Sequence, residues 1–112
     1  MDFPGSNYIN LLAKATDAYS LRQKVTASNI ANIDTPGYKK LSVSFEHELR
    51  QARKTGTRPL SDVNPVVVSS DHQPVLEDEM LIMADTQMRV QLVTKALREN
   101  FELIRTGING RT

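Results

Sequence analysis

From Leu76 to Ile108 the chain repeats in alternating steps of four and three residues: Leu76, Met80, Met83, Gln87, Val90, Thr94, Leu97, Phe101, Ile104 and Ile108. Only Gln87 and Thr94 are polar, so the spacing predicts a coiled-coil helix over residues 75–108. At 1.5 Å per residue it is about 50 Å long, and such a rod needs a partner along its length. Pro74 suits its first turn, while Glu77, Asp78 and Glu79 place negative charge where the helix dipole favours it. A second apolar set, including Leu81, Met88, Leu92 and Leu103, lies outside the seam, and one partner helix cannot cover both. The reading is a hairpin of terminal helices whose remaining apolar faces are offered to neighbouring subunits.

The partner helix is predicted over residues 6–31, where Tyr8, Leu11, Leu12, Ala15, Ala18, Tyr19 and Val25 share one face and Ser6 or Asn7 can serve as the N-cap. Leu12, Ala15 and Tyr19 are expected to pack against Met83, Val90, Leu97, Phe101 and Ile104, from the same subunit or a neighbour. Between the helices, residues 32–74 are turn-rich. Leu41, Val43 and Phe45 alternate as in an extended segment, and Phe45, Leu49 and Ala52 suggest about two helical turns. Val66, Val67 and Val68 could pair as a short strand or simply run extended. The fold class is mainly α: two long terminal helices, antiparallel and coiled-coil-like, joined by a partly extended middle with a short helix, all in one domain spanning 1–112.

The helix exit is the densest local signal. In Asn29-Ile30-Ala31-Asn32-Ile33-Asp34-Thr35-Pro36-Gly37-Tyr38, the Asn and Asp side chains compete for backbone hydrogen bonds, and Pro36 drives Thr35 out of the helical region. Pro36-Gly37 fits the central positions of a type II turn, with Gly37 at positive φ.

Composition narrows the function classes. The 112 residues are 39% hydrophobic and only 5% aromatic, with no Trp and no Cys. That is low in apolar bulk for a compact enzyme and ordinary for helices that pack in stripes. Lacking Cys, the chain has no disulfide framework and no thiolate metal site. The first residues carry neither a basic n-region nor an apolar h-region, so no cleaved signal is expected, and no apolar run is long enough for a membrane span. Net charge is +1, but Lys39, Lys40, Arg50, Arg53, Lys54 and Arg58 make the middle locally basic. His47 and His72 have no neighbouring ligands at metal spacing, and Glu46-His47-Glu48 reads as an exposed helix face. The glycines form no phosphate cradle and no serine sits in a nucleophile elbow. No catalytic, metal-binding or cofactor-binding residue is expected, and no cofactor.

The run Ala27-Ser28-Asn29-Ile30-Ala31-Asn32, followed by Thr35-Pro36-Gly37-Tyr38-Lys39, closely resembles the N-terminal signature of bacterial flagellar axial proteins. Over its whole length the chain is most similar to flagellar basal-body rod proteins of the proximal-rod type. Val43-Ser44-Phe45-Glu46 and Leu49 resemble the residues downstream of the signature in those subunits, as do Leu76-Glu77, Glu79-Met80 and Ala84 at the start of the last helix. Leu97, Phe101, Leu103 and Ile104 continue the likeness. Val75 stands where an Asp is usual and Val90 where a Tyr is common, which weakens one cap and one contact. Hook and distal-rod subunits insert a larger β-rich domain, for which this length leaves no room.

The resemblance implies a non-catalytic subunit, exported by the flagellar type III apparatus and polymerised into the periplasmic rod. Asn29, Ala31, Asn32, Thr35, Pro36, Gly37 and Tyr38 would be its assembly signature. Its partners would be other rod subunits, the adaptor between rod and membrane ring, and the ring itself, with no nucleic acid. The alternative is a soluble helical-hairpin adaptor whose basic segment binds an acidic partner or nucleic acid.

Overall fold

A computed structural model describes residues 5–109, and side chains through Ile108. In chain order they form α1 (Ser6–Ala31), β1 (Leu41–Ser44), α2 (Glu46–Thr55), a 3-10 turn (Leu60–Asp62), β2 (Val66–Ser69) and α3 (Leu76–Asn109). The shape is elongated, 64 × 29 × 17 Å. The bounds of α1 match the expected 6–31. Its cap does not: Gly5 occupies the N-cap, with no side-chain cap bond, and Ser6 is already helical.

The core lies where the middle of α1 meets α2, the 3-10 turn and α3. Ala15, Ala18, Tyr19, Phe45, Ala52 and Val63 are buried together, with Leu49, Leu60, Val90 and Val93 packed against them. Ala15 and Ala18 leave room for close approach, and Phe45 fills it, meeting Tyr19 edge to face at 6.3 Å between ring centroids and 83° between planes. Phe45 closes β1 and serves as the N-cap residue of α2, so the extended segment and the short helix share one buried anchor.

β1 and β2 pair antiparallel, Leu41 opposite Ser69 through Ser44 opposite Val66. Backbone bonds from Ser70 N–H to Lys40 C=O (2.9 Å) and from Lys40 N–H to His72 C=O (2.8 Å) carry the pairing past the strand end. Beyond β2, residues 70–75 return the chain to α3.

α3 packs on α1 through a seam one residue out of step with the predicted one. Met83, Val90, Leu97 and Ile104 are half-buried. Their alternating partners are not Met80, Gln87, Thr94 and Phe101, which are exposed, but Glu79, Thr86, Val93 and Asn100, all at least half-buried. Leu76 and Ile108 are exposed as well. Both sets obey four-three spacing, because neighbouring residues on a helix lie only about 100° apart. What separates them is polar chemistry: Thr86 satisfies its hydroxyl on Ile82 C=O at 2.7 Å, Asn100 donates to Ala96 C=O at 2.8 Å, and Glu79 finds partners across the interface. Contacts run in opposite chain senses, with Gln23 donating to Gln87 at 2.9 Å and Asn29 to Glu79 at 2.6 Å.

Phe101, expected in the seam against α1, is 56% exposed, because the face turned to α1 at that level belongs to Leu97, Asn100 and Ile104. Burial therefore predicts opposite outcomes for two phenylalanines. Phe45→Ala should cost about 3–5 kcal/mol in urea denaturation of the free subunit, whereas Phe101→Ala should cost less than about 1 kcal/mol.

Candidate functional site: the helix-exit anchor and the open helix faces

In α1, Leu12, Ala15, Tyr19, Arg22, Thr26 and Asn29 follow the same four-three spacing, so the interior face continues into polar residues toward its end. Asn29 is buried at the last turn. Its Nδ2 donates to Leu41 C=O at 2.7 Å and to Glu79 Oε1 at 2.6 Å. Its Oδ1 accepts from Leu41 N–H at 3.1 Å and from the Tyr38 hydroxyl at 3.4 Å. Each amide atom has two partners, which fixes its orientation. Leu41 is thereby paired on both backbone groups as if by another strand. Arg22 extends this edge, donating to Val43 C=O at 2.8 Å, so side chains of α1 close the side of β1 that faces away from β2.

Glu79 is 0% exposed. A buried carboxylate is costly unless paired, and Lys40 Nζ lies 3.0 Å from its Oε2. The alignment is that of an ion pair rather than of a directed hydrogen bond, since Oε2 has no hydrogen-bond partner. Lys40 is thus drawn out of the basic segment, while Lys39, Arg50, Arg53, Lys54 and Arg58 stay exposed. Arg53 and Lys54 lie in the last turn of α2, where the helix dipole favours cations.

The turn below Asn29 is built by its own side chains. Asn32 Nδ2 donates to Ser28 C=O at 2.9 Å and its Oδ1 accepts from Thr35 Oγ1 at 3.1 Å. The Ser28 hydroxyl lies 3.1 Å from that of Tyr38. Tyr38 N–H donates to Thr35 C=O at 3.2 Å, closing the turn around Pro36-Gly37, and Gly37 has φ +78°. That backbone conformation is open to glycine and strained for a residue with a Cβ. Asn29, Asn32, Thr35, Gly37 and Tyr38 therefore have intramolecular work in shaping the exit, whereas Ala31 and Pro36 are exposed.

A second polar node sits beside the core. Glu46 accepts from Arg22 at 2.7 and 3.0 Å in a two-pronged pair, and Arg89 of α3 approaches it at 3.4 Å. The Arg22 guanidinium also lies over the Tyr19 ring at 5.4 Å. Glu46, expected on an exposed face, is instead the tie between α1, α2 and α3; only His47 of that triplet is exposed. The bond from Arg22, opposed by partial burial and helped by the nearby positive charges, holds the Glu46 carboxyl at about 2, against an ordinary 4.5.

Of the expected packing residues, Leu12, Ala15 and Tyr19 are buried, Met83, Val90, Leu97 and Ile104 are half-buried, and Phe101 is exposed. Sequence reasoning missed Arg22, Lys40, Glu46, Glu79 and Thr86. The polar continuation of the α1 seam after Tyr19 is the signal that could have found the first. Outside the seam on α3, Leu81, Met88 and Leu92 are 69%, 60% and 64% exposed. Among the described residues no group of His, Asp or Glu could hold a metal ion, and no helix is long and apolar enough to cross a membrane.

Long helices locked by buried polar groups, with further apolar faces turned outward, define a helical subunit built for packing. The family model described as "Flagella basal body rod protein" matches residues 9–39, which take in most of α1 and the whole exit turn. The flagellar basal body rod protein FlgB of Bacillus subtilis strain 168 is 31% identical over 123 aligned positions, covering 94% of this chain and 95% of that protein. FlgB of Borreliella burgdorferi is 45% identical over 56 residues, half of this chain and 40% of its own length. FlgB of Escherichia coli K12 is 38% identical over 61 residues, 54% of this chain and 44% of that protein. The chain belongs to the FlgB family of flagellar basal body rod proteins, which are structural components and not enzymes.

One test addresses the anchor and one the second polar node. Asn29→Ala strands both backbone groups of Leu41 and one Glu79 oxygen in a buried place, and should cost about 3 kcal/mol in denaturant melts. The Glu46 pair has a depressed folded-state pKa, so its contribution is complete above the unfolded value near 4.5 and disappears as pH falls toward 2. The stability gap between wild type and Glu46→Gln should therefore narrow across that interval and stay constant from pH 5 to 7.

Proposed function

We propose that this chain is a structural subunit of the proximal rod, a single rod-type domain that polymerises through its terminal helices and transmits torque. The observation that carries the reading is the apolar outer face of α3. Leu81, Met88 and Leu92 stand outside the seam on α1, none of the described helices covers them, and many such contacts in parallel suit a shaft under load. The opposed pairs Gln23–Gln87 and Asn29–Glu79 support an antiparallel, coiled-coil-like pairing of α1 and α3 in the assembled rod. Neighbours are other rod subunits, the adaptor between rod and membrane ring, and the ring.

The signature residues serve assembly on this reading by fixing how the two helices leave the exit turn, and Ala31, Pro36 and Phe101 remain exposed for neighbours. The chain reaches the periplasm unfolded through the flagellar type III apparatus. A small core is compatible with that route, since threading requires the fold to open. The exposed basic residues of the middle meet other proteins and not nucleic acid.

The test is incorporation. Epitope-tagged chain, supplied as the only copy of its gene in its own organism, should copurify with basal bodies after detergent extraction. Its absence from basal bodies that contain the other rod subunits would refute the assignment. In the free subunit, amide exchange should be fastest in α3 beyond Leu97, where only Asn100 and Ile104 are half-buried, and should slow sharply in purified basal bodies. Equal protection in both states would show that this segment gains nothing from assembly.

A further inference from the structure

The outer face of α3 does not consist of apolar residues alone. Leu81, Asp85, Met88, Leu92 and Lys95 follow one another in steps of four, three, four and three, and all are exposed. They form a second row on α3, outside the seam on α1, and its first members, Leu81 and Asp85, border the groove that α3 shares with Arg22, Val25 and Thr26 of α1. The outer face of α1 has a matching row, exposed throughout: Ala13, Asp17, Ser20, Lys24 and Ala27, again in alternating steps of four and three. Neither Asp17, Lys24 nor Lys95 enters a salt bridge among the described residues, and Asp85 is engaged only along its own helix, by Arg89 Nε at 2.8 Å.

We propose that the outer seam of α3 docks on the outer face of α1 of a second copy of this chain, set beside the first at the same height. This pairing rests on the rod reading above and specifies its lateral contact. Two copies related in this way repeat, between molecules, the register that sets Asn29 against Glu79 and Gln23 against Gln87 within one. That register brings Leu81 onto Ala27 and Met88 onto Ser20, a large side chain over a small one each time. It also brings Asp85 to Lys24, and Lys95 with Leu92 to Asp17. Asp85 then lies level with Lys24, and Lys95 lies about one turn beyond the residue level with Asp17, within reach of its long side chain, so both charge contacts are attractive.

The charges and the cross-link distance both test it. In cells carrying the chain as the only copy of its gene, Asp17→Lys and Lys95→Asp should each reduce its amount in purified basal bodies at least tenfold, and the double exchange should restore it. Helical circular dichroism and denaturation midpoints of the free variants should match wild type, since both positions are exposed and unpaired. Separately, the chain has no cysteine, so Ala27→Cys combined with Leu81→Cys introduces one thiol on each outer face. Oxidation of basal bodies should give a ladder of cross-linked copies, whereas oxidation of the dilute free subunit should leave it a monomer. Full incorporation of either single variant, failure of the folded double exchange to recover, or cross-links to a different rod subunit would overturn the pairing. Absence of the wild-type chain from basal bodies would instead refute the rod assignment itself.

Discussion

The carboxamide of Asn29 is the interaction on which the remainder of the structure depends. It joins the end of α1, both backbone groups of Leu41, the Tyr38 hydroxyl and the Glu79 carboxylate, so one side chain ties its own helix to the exit turn, to β1 and to the start of α3. A shorter or apolar residue reaches none of them, and a carboxylate at this place would face Glu79 with like charge. Glu79 is kept in the interior only because Asn29 and Lys40 share it, and Lys40 is held in turn by backbone bonds to Ser70 and His72. The exit turn, the strand pair and the start of α3 thus form one cooperative unit, in which losing any member leaves a buried polar group without compensation.

This unit explains why α3 presents the less apolar of its two candidate seams to α1. On hydrophobicity alone, Leu76, Met80 and Phe101 would turn inward. Rotating α3 to admit them would pull Glu79 from Asn29 and Lys40. A buried polar pair tolerates one register, whereas leucines and methionines tolerate several. The interface gives up some apolar burial and gains a unique alignment, and the displaced apolar residues become surface. Residues that read as core are for that reason the ones available to neighbours.

How much of this was legible in the sequence depends on the range of each signal. The bounds of α1, the turn at Pro36-Gly37, the short helix after Phe45 and the strand at Val66 are fixed by local periodicity and local backbone chemistry, and the structure has them there. The seam of α3 failed by one residue because four-three spacing is satisfied by two adjacent sets, and the choice between them is made by Asn29 and Lys40, fifty and thirty-nine positions away. Arg22 and Glu46 were invisible for the same reason. Each looks like a solvated charge until the chain folds back and brings them within 2.7 Å. The anchor was seen only as a helix stop, since nothing in Asn29 itself announces that its amide will complete the edge of a strand formed twelve residues later.

The distribution of polar and apolar groups has a consequence for a subunit of a rod. Its own fold is held by a few buried aromatic and aliphatic contacts and by directed polar ties near the exit turn, while α3 from Arg98 onward is mostly exposed among the described residues. Directional ties specify a geometry at modest net stability, because much of what they gain is lost in desolvation. Apolar faces do the reverse: they are strong in aggregate and indifferent to angle. Placing the first kind inside the subunit and the second kind on its surface lets each chain present a defined face before it associates. In the proposed rod, association would then add the burial that the outward apolar residues lack within one chain.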